Sequence, residues 1–214
     1  MANLITIARV LLVFIVIAVW NRDDVMQSGW LDLAMVPLLA WAIYMDALDG
    51  WVARKRHEES KVGALFDIAG DRIVELTLWT FFAVKRDPSG QHFVPIWVAL
   101  VIITRTVLTD AVRSIAFGQG KTAFGASSMQ TSAWAKQLVS SRWSRGVYGG
   151  LKAVTFCALG LLLAWPRVSP NTNFAGSARV AVDILVYLTT IFAIVRAIPV
   201  LWEGRRFIFV TSKR

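Results

Sequence analysis

The chain runs to 214 residues, of which 56% are hydrophobic and 17% charged, and 23 Lys and Arg against 14 Asp and Glu leave a formal net charge of +9. Its apolar runs are longer than the core of a soluble domain of this size can use, which excludes a soluble globular protein and leaves an integral membrane one. The charge argues against a nucleic-acid partner, because the basic residues stand at the ends of apolar segments and within them rather than in a soluble patch with interleaved aromatics.

About twenty apolar residues cross a bilayer, and six stretches qualify: 4–20, 31–52, 63–84, 93–117, 148–165 and 178–202. They predict an all-α, polytopic fold of six transmembrane helices around a cytosol-facing polar cavity, in one domain over residues 1–214. The single cysteine, Cys157, lies in the fifth stretch, which excludes an internal disulfide and leaves the thiol to pack. Orientation follows from the basic residues. Arg54, Lys55, Arg56 and Lys61, then Lys121, Lys136, Arg142 and Arg145, then Arg205, Arg206, Lys213 and Arg214 share one side, against Arg22, Lys85, Arg86, Arg167 and Arg179 on the other. The positive-inside rule then places both termini and the 53–62 link on the cytoplasmic face of the inner membrane.

The first stretch is expected to remain uncleaved, since Arg9 sits inside the apolar run and no small-x-small pattern precedes Asn21. Asn3, Thr6 and Arg9 recur at every third position and share one helical stripe. Two readings of that stripe stand: an interfacial face whose arginine snorkels to lipid phosphates, or an accessory to an anion-handling site.

From Asp46 to Asp71 the chain reads DALDGWVARKRHEESKVGALFDIAGD. Residues three or four apart on a helix share a face, so Asp46 and Asp49 project together from the end of one helix, and Asp67 and Asp71 from the start of the next. One Asp at the centre of a membrane helix costs about 2.5–3.5 kcal/mol, so four against lipid would cost roughly 10–14 kcal/mol, comparable to a whole domain's stability. The four carboxylates are therefore expected to line a wet cavity and hold cations. Carboxylate oxygens alone select hard ions, Mg²⁺ or Mn²⁺ rather than zinc or copper. Two divalent ions against four carboxylates reach formal neutrality, and such a pair suits phosphoryl chemistry. Gly50, Ala53 and Gly63 leave room for a flat or phosphate-bearing ligand to approach the backbone, and Arg54 offers a planar fork for phosphate oxygens. The plainer alternatives are helix packing by the small residues and a boundary role for Arg54. His57 has no second histidine near it and reads as surface. Glu75, one turn after Asp71, is either a partner of the aspartates or an ion pair with Arg72.

In the fourth stretch Arg105 lies mid-membrane, where an ionisable residue marks a functional site by default. Arg113 falls on nearly the same face, so the two together suit a doubly charged phosphate; a salt bridge from Arg113 to Asp110 is the alternative. The 118–147 connection, with Trp134, Trp143, Lys136, Arg142 and Arg145, reads as a cytosolic loop or short helix on the membrane surface. Gly149, Gly150 and Lys152 then bring a second close-approach pair beside a cation, suited to an acceptor phosphate, with snorkelling as the competitor for Lys152. The sixth stretch carries Asp183 and Arg196, and its aromatic and β-branched surface suits a homodimer contact.

The residues from Asp46 to Asp71 resemble the signature of the CDP-alcohol phosphotransferases, D-x2-D-G-x2-A-R-x8-G-x3-D-x3-D. Asp46, Asp49, Gly50, Ala53, Arg54, Gly63, Asp67 and Asp71 fill its positions at the required offsets. The opening Asn3, Thr6 and Arg9 resemble the start of the phosphatidylglycerophosphate synthase branch. The resemblance implies that Asp46, Asp49, Asp67 and Asp71 bind divalent metals, with Asp71 also the general base, and that Gly50, Arg54, Ser60 and Gly63 seat the cytidine diphosphate beside Ala53. It implies a lipid donor whose acyl chains stay in the bilayer, an acceptor hydroxyl attacking its β-phosphorus, and CMP as leaving group. A phosphate on the acceptor would go to Arg105, Arg113 and Lys152.

The acceptor divides the readings. Asp67-Ile68 and Asp71-Arg72 depart from the Asp-Pro and Asp-Lys that phosphatidylglycerophosphate synthases usually carry, and resemble the inositol-phosphate branch. Glycerol 3-phosphate is the preferred acceptor, inositol phosphate the second, and serine or choline fit a basic pocket less well. An ion-coupled transporter also uses intramembrane carboxylates and arginines, but does not need Gly50, Ala53, Arg54 and Gly63 at these offsets. A catalytically dead scaffold does not need all four aspartates intact.

Overall fold

The computed structural model describes residues 2–22, 29–56, 61–122, 128–169 and 174–209, and of residues 2, 3, 46–56, 61, 62, 64, 174, 175, 177 and 209 it describes the backbone only. Each apolar stretch becomes a helix: α1 (Ala2–Trp20), α2 (Gly29–Arg56), α3 (Lys61–Val84), α4 (Ile96–Gly118), the single turn α5 (Ala133–Ala135), a π-helical turn (Lys136–Ser140), α6 (Arg142–Val168) and α7 (Phe174–Phe209). No strand forms among the described residues. Helices satisfy every backbone group within one segment, which hydrocarbon demands.

By length and composition α6, over Arg142–Val168, and α7, over Ala178–Ile208, can each cross a membrane, and α1 and α2 contain shorter apolar lengths, Leu4–Trp20 and Gly29–Met45. Helices α3 and α4 carry more charge: Asp67, Asp71, Arg72 and Glu75 in one, Arg105, Asp110 and Arg113 in the other.

The chain divides into two compact units, Met1–Ala99 with Ala153–Ile184, and Leu100–Lys152 with Leu185–Arg214. In the first, α1 packs against both α2 and α3. Its residues Thr6, Arg9, Val13, Val16 and Trp20, at alternating three- and four-residue steps, are buried, while Leu4, Ile7, Leu11, Phe14 and Ile15 face outward. Trp20 stacks on Phe81 at 6.1 Å, tilts against Phe82 at 5.8 Å and donates Nε1–H to the Asp32 carbonyl at 3.0 Å. A Cβ at Gly160 would stand 2.6 Å from Trp20, so α6 passes the indole only as glycine. The Asp32 carboxylate is fully buried and is held by Arg167 at 2.7 Å.

The turn after α3 is built by Asp87, whose Oδ1 accepts from the Ser89 N–H, the Ser89 hydroxyl and the Gln91 N–H. Gly90 there takes φ +84°, a left-handed conformation that favours glycine. Arg179 ties this turn to α7 through Asp87 at 3.1 Å, Asp183 at 3.1 Å and the His92 carbonyl at 2.6 Å. Burial works against an ionised Asp87, but Ser89, the N–H groups of Gln91 and Ser89, and Arg179 together hold its carboxyl below the usual carboxylate range.

In the second unit Val112, Ala116, Met129, Val139, Val200 and Phe207 form a core. Glu203 of α7 accepts from the backbone N–H of Thr131 at 2.7 Å and of Ser132 at 3.1 Å, and from the Ser132 hydroxyl, at the residues that lead into α5. The later part of the 118–147 connection is therefore helical and anchored, and α6 starts at Arg142, ahead of the apolar stretch itself.

Candidate functional site

The packing of α1 on α3 brings a buried cation to the acidic end of α3. Arg9 is 2% exposed and sets Nη2 at 2.8 Å from Asp71 Oδ1 and 3.8 Å from Asp67 Oδ1. The approach depends on Gly70: a Cβ there would run into Thr6 Cγ2 and come within 3.2 Å of Arg9 Nη2. Thr6 and Arg9 thus lie against the acidic end of α3, and the Arg9 guanidinium is buried beside carboxylates rather than directed to the surface. Asp67 and Asp71 keep 41% and 42% of their side-chain surface exposed, so Arg9 covers them from one side only.

Asp46, Asp49, Gly50, Ala53 and Arg54 stand on the last turns of α2. Their side chains lie outside the described residues, as does Ser60 entirely. Helix α2 ends at Arg56 and α3 begins at Lys61, so the short link keeps the two helix ends within about 18 Å. Gly63 falls in the first turn of α3. Glu75, 2% exposed, accepts from Arg72 at 3.4 Å, the ion pair of its two readings.

Two carboxylates one turn apart, partly open and already facing a buried guanidinium make a place for positive charge, and as hard oxygen donors they fit Mg²⁺ or Mn²⁺. Among the described residues no group of three or more metal-ligating side chains forms, the two aspartates of α2 being outside that set.

In the second unit three cations gather on Tyr148 of α6. Arg105 Nη2 donates to its hydroxyl at 2.5 Å. The Arg105 and Arg196 guanidinium carbons each stand 5.4 Å from the ring centroid, and Lys152 Nζ stands 4.8 Å from it. The electron-rich ring face offsets part of their mutual repulsion. Arg196 also donates to the carbonyls of Leu138 at 3.1 Å and Val139 at 3.3 Å and to the Ser144 hydroxyl, so it braces the π turn as well. Of the expected phosphate clamp, Arg105 and Lys152 share this ring, while Arg113 pairs with Asp110 at 3.4 Å, its alternative reading. A Cβ at Gly149 or Gly150 would meet nothing within 4 Å, so packing does not explain either glycine, each of which costs helix stability. A groove of about 380 Å³, walled by Leu100, Leu108, Ile194 and Ile198, also has Arg105 in its lining.

Sequence reasoning passed over Tyr148 and the role of Arg196. The available signals were the Tyr148–Lys152 spacing of one helical turn and a second arginine deep in an apolar stretch.

The chain is 30% identical over 123 residues to a CDP-diacylglycerol–glycerol-3-phosphate 3-phosphatidyltransferase of Pseudomonas fluorescens; the match takes in 56% of this chain and only 57% of that relative's length. A model of the CDP-alcohol phosphatidyltransferase family matches residues 1–195, a span that begins before Arg9 and reaches into the last helix. With the acidic signature carried on α2 and α3 inside that span, the chain belongs to the CDP-alcohol phosphatidyltransferase family.

Proposed function

We propose that this enzyme transfers the phosphatidyl group of CDP-diacylglycerol to the hydroxyl of glycerol 3-phosphate and releases CMP, spanning the inner membrane six times with its acidic site facing the cytoplasm. The reading rests above all on Asp67 and Asp71, presented together at the partly exposed start of α3. In the reaction Asp71 takes the proton from the acceptor hydroxyl; the freed oxygen attacks the β-phosphorus of the donor, and the bond to CMP breaks as the new phosphodiester forms. Asp46, Asp49, Asp67 and Asp71 would hold two divalent ions, which neutralise charge on the donor pyrophosphate and on the leaving CMP. Gly50, Ala53, Arg54, Ser60 and Gly63 seat the cytidine diphosphate, the small residues giving access and Arg54 pairing with phosphate oxygens.

Arg105, Lys152 and Arg196 supply the positive charge that a phosphorylated acceptor needs, and the apolar groove beside Arg105 suits an acyl chain. The preference for glycerol 3-phosphate is supported by the Pseudomonas fluorescens relative, named for that acceptor. Inositol phosphate is the second reading, favoured by Ile68 after Asp67 and Arg72 after Asp71. The deciding experiment offers the purified protein CDP-diacylglycerol with glycerol 3-phosphate, inositol phosphate, serine or choline in turn and measures CMP. Turnover with glycerol 3-phosphate alone is expected. Turnover confined to a phosphate-free acceptor would reject the clamp and the acceptor together.

A further inference from the structure

Arg9 is too deeply buried for a solvated charge and too close to Asp71 for a spectator. A buried guanidinium is tolerated only when paired, and among the described residues Arg9 pairs with Asp71 at 2.8 Å and lies 3.8 Å from Asp67. The contact is held from both sides: Thr6 lies against Gly70, the residue before Asp71, and the outward face of α1 is Leu4, Ile7 and Leu11. Neither feature lets the guanidinium leave for water or a headgroup without unpacking α1.

We infer that Arg9 is a resident counter-cation of the acidic site, which holds Asp67 and Asp71 together in the absence of divalent ions and competes with those ions for the same carboxylate charge. The inference rests on the metal-dependent function proposed above. Four ionised aspartates carry a formal charge of −4, and Arg9 brings it to −3. A divalent ion entering beside Arg9 therefore meets one unit less of attraction and one extra cation within a few ångströms. Without a metal, Arg9 offsets the mutual repulsion of the neighbouring carboxylates of α3 and ties α1 to that helix. Arg9 is thus a positioning residue rather than a catalytic one. It makes metal binding weaker and reversible, and it keeps the empty site folded.

The test measures Mn²⁺ binding, by the paramagnetic resonance of the free ion, to the purified full-length parent and to Arg9→Gln and Arg9→Lys. Arg9→Gln is expected to bind Mn²⁺ about tenfold more tightly, the order expected for removing one partly screened charge at this range. Arg9→Lys keeps the charge and is expected to bind as the parent does. The melting temperature of Arg9→Gln should be lower than the parent's without metal and should rise more on adding it. Equal or weaker Mn²⁺ binding by Arg9→Gln overturns the inference while leaving the metal site intact; no Mn²⁺ binding by the parent overturns both. Should Arg9→Gln not fold, nitrogen-15 resonances of the Arg9 guanidinium in the parent decide the matter. A shift on adding Mg²⁺ supports competition, and unmoved resonances overturn it.

Discussion

Asp71 is the residue on which binding and chemistry converge, since it faces Arg9 at 2.8 Å and keeps 42% of its side-chain surface exposed. Asp71→Asn keeps the shape and removes both the base and one negative charge. CMP release should fall by about 10²- to 10⁴-fold, the usual contribution of a positioned base, while cytidine nucleotide binding, read by equilibrium dialysis, stays largely intact. Substantial residual turnover would refute the base assignment. Tyr148 offers a separate handle. Tyr148→Phe keeps the ring under Lys152 and Arg196 but loses the hydroxyl that accepts from Arg105. KM for glycerol 3-phosphate should rise several-fold with kcat nearly unchanged, and an unchanged KM would remove Tyr148 from the acceptor site. That Asp67 and Asp71 share one face was legible because residues four apart on a helix do so. The Arg9–Asp71 contact was not, because helical spacing relates residues only within one helix, and these two lie on α1 and α3.

At the level of elements, glycine sets how closely the helices of the first unit approach. Gly70→Ala places a methyl against Thr6 Cγ2 and is expected to destabilise the protein by about 1–3 kcal/mol, the usual cost of overpacking. Adding Thr6→Ser, which removes that methyl and keeps the hydroxyl, should restore much of the loss in thermal unfolding in detergent; no restoration would disprove the clash. The Asp87 turn makes a pH-dependent prediction. Because its folded carboxyl titrates below the ordinary value, its contribution is complete above an unfolded carboxylate pKa of about 3.9 and is lost as pH falls through the lower folded value. Asp87→Asn should therefore melt below the parent at pH 7, with the gap closing in stronger acid, and a gap independent of pH would contradict the assignment. The long helices were readable from apolar runs, with ends that miss by a few residues. The start of α6 at Arg142 was hidden because its first turns are rich in Trp, Ser and Arg, and the π turn because it depends on Arg196 and Ser144 from elsewhere in the fold.

For the whole molecule, the chain belongs to the CDP-alcohol phosphatidyltransferase family, and the proposed topology is open to direct test. Cys157 is the only cysteine, so a Cys157→Ser background allows single cysteines at Ser60 and Ser89. A membrane-impermeant maleimide should reach position 89 from outside intact cells and position 60 only in inverted vesicles; the opposite pattern would invert the proposed orientation. The central claim, that carboxylates of α2 and α3 hold divalent ions for phosphatidyl transfer, is tested most directly by following CMP from CDP-diacylglycerol and glycerol 3-phosphate with purified protein, in Mg²⁺ and then in excess chelator. The account predicts stoichiometric CMP and lipid product that vanish with the metal and return on its restoration, and CMP formed equally well without divalent ions would contradict it.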